Sequence, residues 1–110
     1  PAGRDGLVRI VAAQLRAHKG QPQTVTLLNT GAEAVDLAGW SLADYRKARS
    51  PLAGTLAPGA AVAVPVAAPV ALAMAGDIIT VLDAAGLKVD GVAYSKRQVP
   101  GEGHSLVFSR

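Results

Sequence analysis

Three cations, Arg46, Lys47 and Arg49, fall within four residues beside Tyr45, and a second basic pair, Lys96 and Arg97, follows close after Tyr94. Guanidinium and ammonium groups in such loops bind phosphate or carboxylate, and a neighbouring phenol ring offers a stacking surface. Like charges this close repel one another. Folding alone therefore gives little reason to gather them, and an acidic partner surface would relieve the repulsion. The plainer reading is a pair of solvated loops that keep an alanine- and valine-rich chain soluble. Against it stands a docking patch of Tyr45, Arg46, Lys47, Arg49, Lys96 and Arg97 for a protein partner or a neighbouring domain, with weak, non-specific nucleic-acid binding as the alternative.

A catalytic reading needs a nucleophile with a base, a pair of carboxylates or a set of metal ligands. His18 and His104 are far apart, and no His-x-His or His-x-x-x-His spacing presets a metal site. With no cysteine there is neither a thiolate zinc site nor a disulfide framework. Asp36, Asp44, Asp77, Asp83 and Asp90 do not alternate within one loop as calcium ligands do, although oxygens gathered across loops remain open as a calcium site. Asp36 and Asp90 read as solvent-facing strand residues and Asp44 as a strand or loop terminator. Asp77 and Asp83 read as turn residues bonding nearby backbone N–H groups. The glycines stand singly beside strands, and no Lys-Ser or Lys-Thr follows at phosphate-loop spacing. The expectation is a chain that is not an enzyme, with no catalytic residues, cofactor or metal.

At 110 residues the chain has room for one domain with one core. Hydrophobic residues at 50% and charged residues at 17% exclude a disordered chain. Much of the apolar share is alanine and valine, which suits thin, closely packed sheets better than a helical bundle. The net charge of +3 and the pI near 9.7 are mildly basic, short of a nucleic-acid-binding arm. No apolar run approaches the ~20 residues that cross a bilayer, so membrane insertion is not expected. The chain opens on Pro1 without a cationic-then-apolar leader, which reads as an excised or processed piece.

Periodicity and turn chemistry divide the chain. Residues 1–6 read as a flexible lead-in. Residues 7–15 fit a helix through Leu7, Val11 and Leu15, and a strand face through Val8, Ile10 and Ala12; the β-branched Val8, Ile10 and Val11 favour the strand. Residues 24–29 alternate with Val25 and Leu27 on one face, and Asn29-Thr30-Gly31 is a turn whose asparagine and glycine can take positive φ. Residues 35–42 alternate, break at Gly39 and resume in shifted phase at Trp40 and Leu42. That pattern describes a strand that turns a corner and plugs the core with the sole tryptophan.

Residues 44–50 read as a charged loop, and residues 51–56 as a short edge strand opening on Pro51. Residues 60–66 put Val62, Val64 and Val66 on one face and point the missing N–H of Pro65 outward. That marks an edge open to self-association or to a partner's strand. Residues 69–76 form a loop with room for a short helical turn. Residues 77–82 and 87–94 form a hairpin around Asp83-Ala84-Ala85-Gly86. A polar loop over 96–103 leads to a last strand, 104–108, with Leu106 and Phe108 inward. Six to eight short strands without a convincing helix describe an antiparallel sandwich, its core drawn from Val25, Leu27, Leu37, Trp40, Leu42, Leu106 and Phe108.

Val35-Asp36-Leu37-Ala38-Gly39-Trp40-Ser41-Leu42-Ala43-Asp44 resembles the signature of the lamin tail domain, valine-aspartate-leucine-x-glycine-tryptophan-x-leucine-x-aspartate. Val25-Thr26-Leu27-Leu28-Asn29 resembles the family's second strand, and Leu56-Ala57-Pro58-Gly59 its turn before an apolar strand. Residues 76–83 with Gly86, then residues 89–95, resemble its closing hairpin. Taken in order these cover roughly residues 7–109. Residues 86–92 and 103–108 also resemble the copy at the C-terminus of a group of uncharacterised bacterial proteins. The resemblance implies an all-β, immunoglobulin-like antiparallel β-sandwich over residues 7–110. It implies a non-catalytic accessory module of a larger bacterial protein, which binds a partner or positions a neighbouring domain. The matching residues are folding residues, so no contact surface is carried over.

Overall fold

The computed structural model describes residues 6–109; residues 1–5 of the expected lead-in lie outside the described residues. Gly6 N–H donates to the Val89 carbonyl at 2.8 Å. The strands are β1 (Val8–Gln14), β2 (Thr24–Asn29), β3 (Val35–Asp36), β4 (Ser41–Ala43), β5 (Arg49–Pro51), β6 (Thr55–Leu56), β7 (Ala61–Pro65), β8 (Gly76–Leu82), β9 (Lys88–Ser95) and β10 (Leu106–Val107). A 3-10 turn, Lys96–Gln98, follows β9. One sheet runs β10-β1-β2-β7, the other β5-β4-β8-β9, and β3 pairs with β6; every pairing is antiparallel. The architecture is an immunoglobulin-like antiparallel β-sandwich. No helix among the described residues is long and apolar enough to cross a membrane.

Between the sheets, Val8, Ile10, Val25 and Leu27 meet Leu42, Ile79, Val81 and Val92, with Leu37 and Trp40 buried among them. Leu106 and Phe108 are only half-buried and pack at the periphery. The expected strand over 104–108 is reduced to two residues. The loop between β7 and β8 has no helical turn and adds Val70 and Leu72 to the core.

The alternation expected in β1 fails at Ala12. Its pairing with β2 shifts register between Ile10 and Ala12, so Val8 and Ile10 are followed inward by Ala13 and Leu15. The bulge has partners for its backbone. Ile10 N–H donates to Asp90 Oδ2 at 2.8 Å, and Val11 C=O accepts from Phe108 N–H at 3.0 Å. Asp90 is thus half-buried and bridges the two sheets, not the solvent-facing strand residue its alternation suggests.

The corner at Gly39 separates two strands of different sheets, where alternation alone suggests one bulged strand. β3 pairs with β6, the chain turns through residues 37–40, and β4 enters the second sheet. Gly39 has φ +81°, and a Cβ there would sit 3.2 Å from the Ala84 Cβ, so conformation and space both require glycine. Trp40 N–H returns to Leu37 C=O, and Trp40 C=O accepts from Leu52 N–H. Pro51 ends β5 and does not open a strand over 51–56; Leu52 goes into the core and Thr55–Leu56 form β6.

Asn29 departs furthest from expectation. Neither it nor Gly31 has positive φ. Its fully buried amide donates to Glu33 C=O (2.8 Å) and Leu56 C=O (2.9 Å) and accepts from Gly31 N–H (2.8 Å). Its backbone bonds Ala60 and Gly59. One side chain therefore ties the end of β2 to the approach to β3, the end of β6 and the turn before β7.

Replacement of Asn29 by Ala removes three hydrogen bonds and leaves the buried Leu56 carbonyl without its amide donor, so a loss of about 2–4 kcal/mol is expected. That is a large part of the ~5–15 kcal/mol typical of a small domain. The denaturation midpoint should fall with the m-value unchanged; a shift under about 0.5 kcal/mol would remove Asn29 from this role. At the β7 edge, Val66 N–H bonds Gln23 C=O, so by alternation the backbone of residue 65 points outward, where proline offers no donor. Pro65→Val restores a donor and should raise concentration-dependent light scattering. Scattering unchanged at millimolar protein would show that the edge is protected by something other than Pro65.

Candidate functional site

Asp44 shapes the first basic loop. The side chain of Asp44 is buried, its Oδ1 accepts from Arg46 N–H (2.9 Å) and Ala48 N–H (3.2 Å), and its backbone closes on Lys47 and Ala48. This is more than the terminator role read from sequence, since the carboxylate organises the whole turn. Lys47 sits at φ +67°, a left-handed conformation uncommon for a residue with a long side chain. Tyr45, Arg46, Lys47 and Arg49 all stand exposed, with Arg49 paired opposite Ala43 in β5 and not in a loop.

Asp77 joins this loop to the second one. Its Oδ1 accepts from Tyr45 N–H (3.0 Å) and its own neighbour Ile78 N–H (2.8 Å), while Oδ2 accepts from Ala73 N–H (3.0 Å). Across the ladder Asp77 faces Tyr94, whose hydroxyl donates to Ala73 C=O at 2.7 Å. Gly76 faces Ser95, and Lys96 and Arg97 follow in the exposed 3-10 turn. The two basic segments, far apart in sequence, therefore lie at the same end of the β5-β4-β8-β9 sheet. Burial pushes the Tyr94 phenol well above its ordinary pKa, and the Asp77 carboxylate beside it pushes the same way.

Sequence reasoning missed the surface next to this loop. On the outer face of β4 and β8, Ala43 stands opposite Thr80, with Ile78 and Leu82 two positions to either side. These side chains floor a groove of about 330 Å³ whose rim is Tyr45, Lys47 and Arg49. A signal was present: Ile78-Ile79-Thr80-Val81-Leu82 is apolar on both strand faces apart from Thr80, whereas a sheet with one wet face alternates.

The remaining polar candidates serve the backbone. Asp36 Oδ1 accepts from Ala38 N–H, and Asp83 Oδ1 accepts from Ala85 and Leu87 N–H. His18 lies 3.6 Å from Glu102 in an exposed pair and rests against Gly103, beside the exposed His104. No group of three His, Cys, Asp or Glu among the described residues is arranged to hold a metal ion.

A family model for the lamin tail domain matches residues 5–96. No curated protein and no solved structure matches the chain.

Because the Tyr94 phenol holds its proton more tightly folded than unfolded, its contribution is complete below the unfolded tyrosine pKa of about 10 and is lost as pH rises beyond it. Stability followed from pH 8 to 12 should therefore fall, and Tyr94→Phe should flatten that fall while lowering stability near neutrality through the lost bond to Ala73. An alkaline fall of equal steepness in both proteins would dismiss Tyr94 as its source.

Proposed function

The chain belongs to the lamin tail domain family, and from that premise we propose that residues 7–110 form a single domain serving a larger protein as a non-catalytic docking module for an acidic protein partner or neighbouring domain. The family is one of immunoglobulin-like, non-enzymatic interaction modules. The observation that carries the reading is the convergence of Tyr45, Arg46, Lys47, Arg49, Lys96 and Arg97 on one end of one sheet, through the Asp77 bonds that tie the loop to β8. Among the described residues none of these cations is paired with a carboxylate. Their charge is thus available to a partner. The carboxylates that a catalytic reading would need are instead engaged with backbone N–H groups.

At physiological salt the Debye length is about 8 Å, so these charges act only near contact. The patch steers and orients a partner more than it holds one.

The test is Arg46→Glu/Lys47→Glu/Arg49→Glu, assayed for binding to the remainder of the parent protein and to duplex DNA across a salt series. Docking on an acidic protein surface predicts at least a tenfold loss of affinity for the parent protein and a modest salt effect. Weak DNA binding with a log–log salt slope of roughly −3 to −4.5, from three to five phosphate contacts, that the triple reversal abolishes while binding to the parent protein is unchanged would replace the protein reading with a nucleic-acid one. If the triple reversal leaves both interactions unchanged with the fold intact, the loops are solubilising only.

A further inference from the structure

We propose that the groove over β4 and β8 receives the single apolar anchor of an acidic peptide segment, whose flanking carboxylates meet Lys47 and Arg49 on one side and Lys88 on the other. The inference deepens the docking role just described and rests on it.

The shape of the groove follows from strand alternation. Ala43 and Thr80 are short side chains paired across the ladder, while Ile78 and Leu82 rise to either side along β8. A low centre between tall walls gives a depression, and the exposed Tyr45 ring closes one end. Past Thr80 the next residue across is Gly91, which has no side chain to interrupt the floor. The Lys88 stem lies over Gly91, with its Cε 2.9 Å and its Nζ 3.2 Å from where a Cβ would be. The apolar floor thus has cations on both flanks.

Chemistry selects the occupant. At about 330 Å³ the groove is at the small end of the ~300–1,000 Å³ range of ligand pockets, room for one large side chain and not for an extended cofactor. Ile78 is 47% exposed on a face that the described residues leave open, so an apolar anchor removes surface from water on both partners. A nucleic-acid strand would bring phosphates to the cations and leave Ile78 and Leu82 facing charge. An acidic segment with an apolar residue at its middle complements both floor and rim. Lys47 is held left-handed by the Asp44 turn, which sets where its side chain leaves the backbone at the rim of the groove.

The probe is a fluorescein-labelled peptide with one leucine flanked by glutamates, titrated into the full chain beside three controls: the same peptide with alanine for leucine, with glutamine for every glutamate, and duplex DNA. The leucine peptide should bind at least five times more tightly than the alanine peptide. Ile78→Asp, at an exposed position where the fold is retained as judged by Trp40 emission, should abolish that difference, and Ile78→Val should keep it. Lys88→Gln should weaken the leucine peptide and leave the glutamine peptide unchanged. Equal binding of leucine and alanine peptides, with loss on triple charge reversal, would overturn the anchor groove and leave the docking patch standing. No binding of any acidic peptide, together with no effect of triple reversal on the parent protein, would bring both down. Competition by DNA that is sensitive to Ile78→Asp would overturn the peptide as occupant.

Discussion

The Asn29 amide shows the constraint that governs this fold. Aromatic residues are only 4% of the sequence, so the core is thin and its loops must be packed into it to close the ends. A buried loop carries backbone donors and acceptors that water can no longer reach, each costly if left unpaired. Short polar side chains answer that need at each end. Asn29 serves the turns around β2, and Gln23 clamps Leu72 through both N–H and C=O while reaching Leu15 C=O. Ser50 accepts from Ala67 N–H, and Asp44, Asp77 and Asp83 hold the turns of the second sheet. No buried side-chain nitrogen or oxygen among the described residues lacks a partner.

The basic loop depends on the same device. Arg46, Lys47 and Arg49 repel one another, and a flexible loop would spread them apart. Asp44 and Asp77 hold the turn through the backbone N–H groups of Tyr45, Arg46 and Ala48, and Asp77 ties it to the loop before β8 through Ala73 N–H. The carboxylates that shape the loop are turned inward on the backbone, so the outward charge stays positive. A surface fixed in this way loses less conformational freedom on binding than a free loop would, which favours affinity without added contact area.

What could be read in the sequence was whatever depends on local rules. Alternation in residues 24–29, the hairpin that Gly86 closes between residues 77–82 and 87–94, and the corner at Gly39 are local chemistry, and each corresponds to an element in the fold. The bulge in β1 was hidden because Val11 and Ala12 are both apolar, so a one-residue slip leaves no trace in the hydrophobic pattern. Asn29 read as a turn residue because asparagine usually is one; only the approach of residues 33 and 56 makes its burial favourable. Likewise Asp90 looked solvent-facing until β1 came to lie beside β9. The groove was hidden for a related reason: it is made of rows across strands, Ala43 with Thr80 and Arg49, and cross-strand neighbours follow from register, which composition does not encode.

Register also explains why charge and apolar surface meet on this face. Because β5 returns antiparallel to β4 immediately after the basic turn, Arg49 falls opposite Ala43, on the face where Thr80 lies on the other side. A shift of one residue in that return would send Arg49 toward the core and Ser50, now fully buried and bonded to Ala67, toward solvent. The Ser50 bond is therefore a condition for the site as well as for the loop it secures. The tight turn set by Asp44 fixes the register, and the register puts a cation beside an apolar depression; under the docking role proposed above, it is this pairing that would discriminate between acidic partners by whether they carry an apolar residue at the right place.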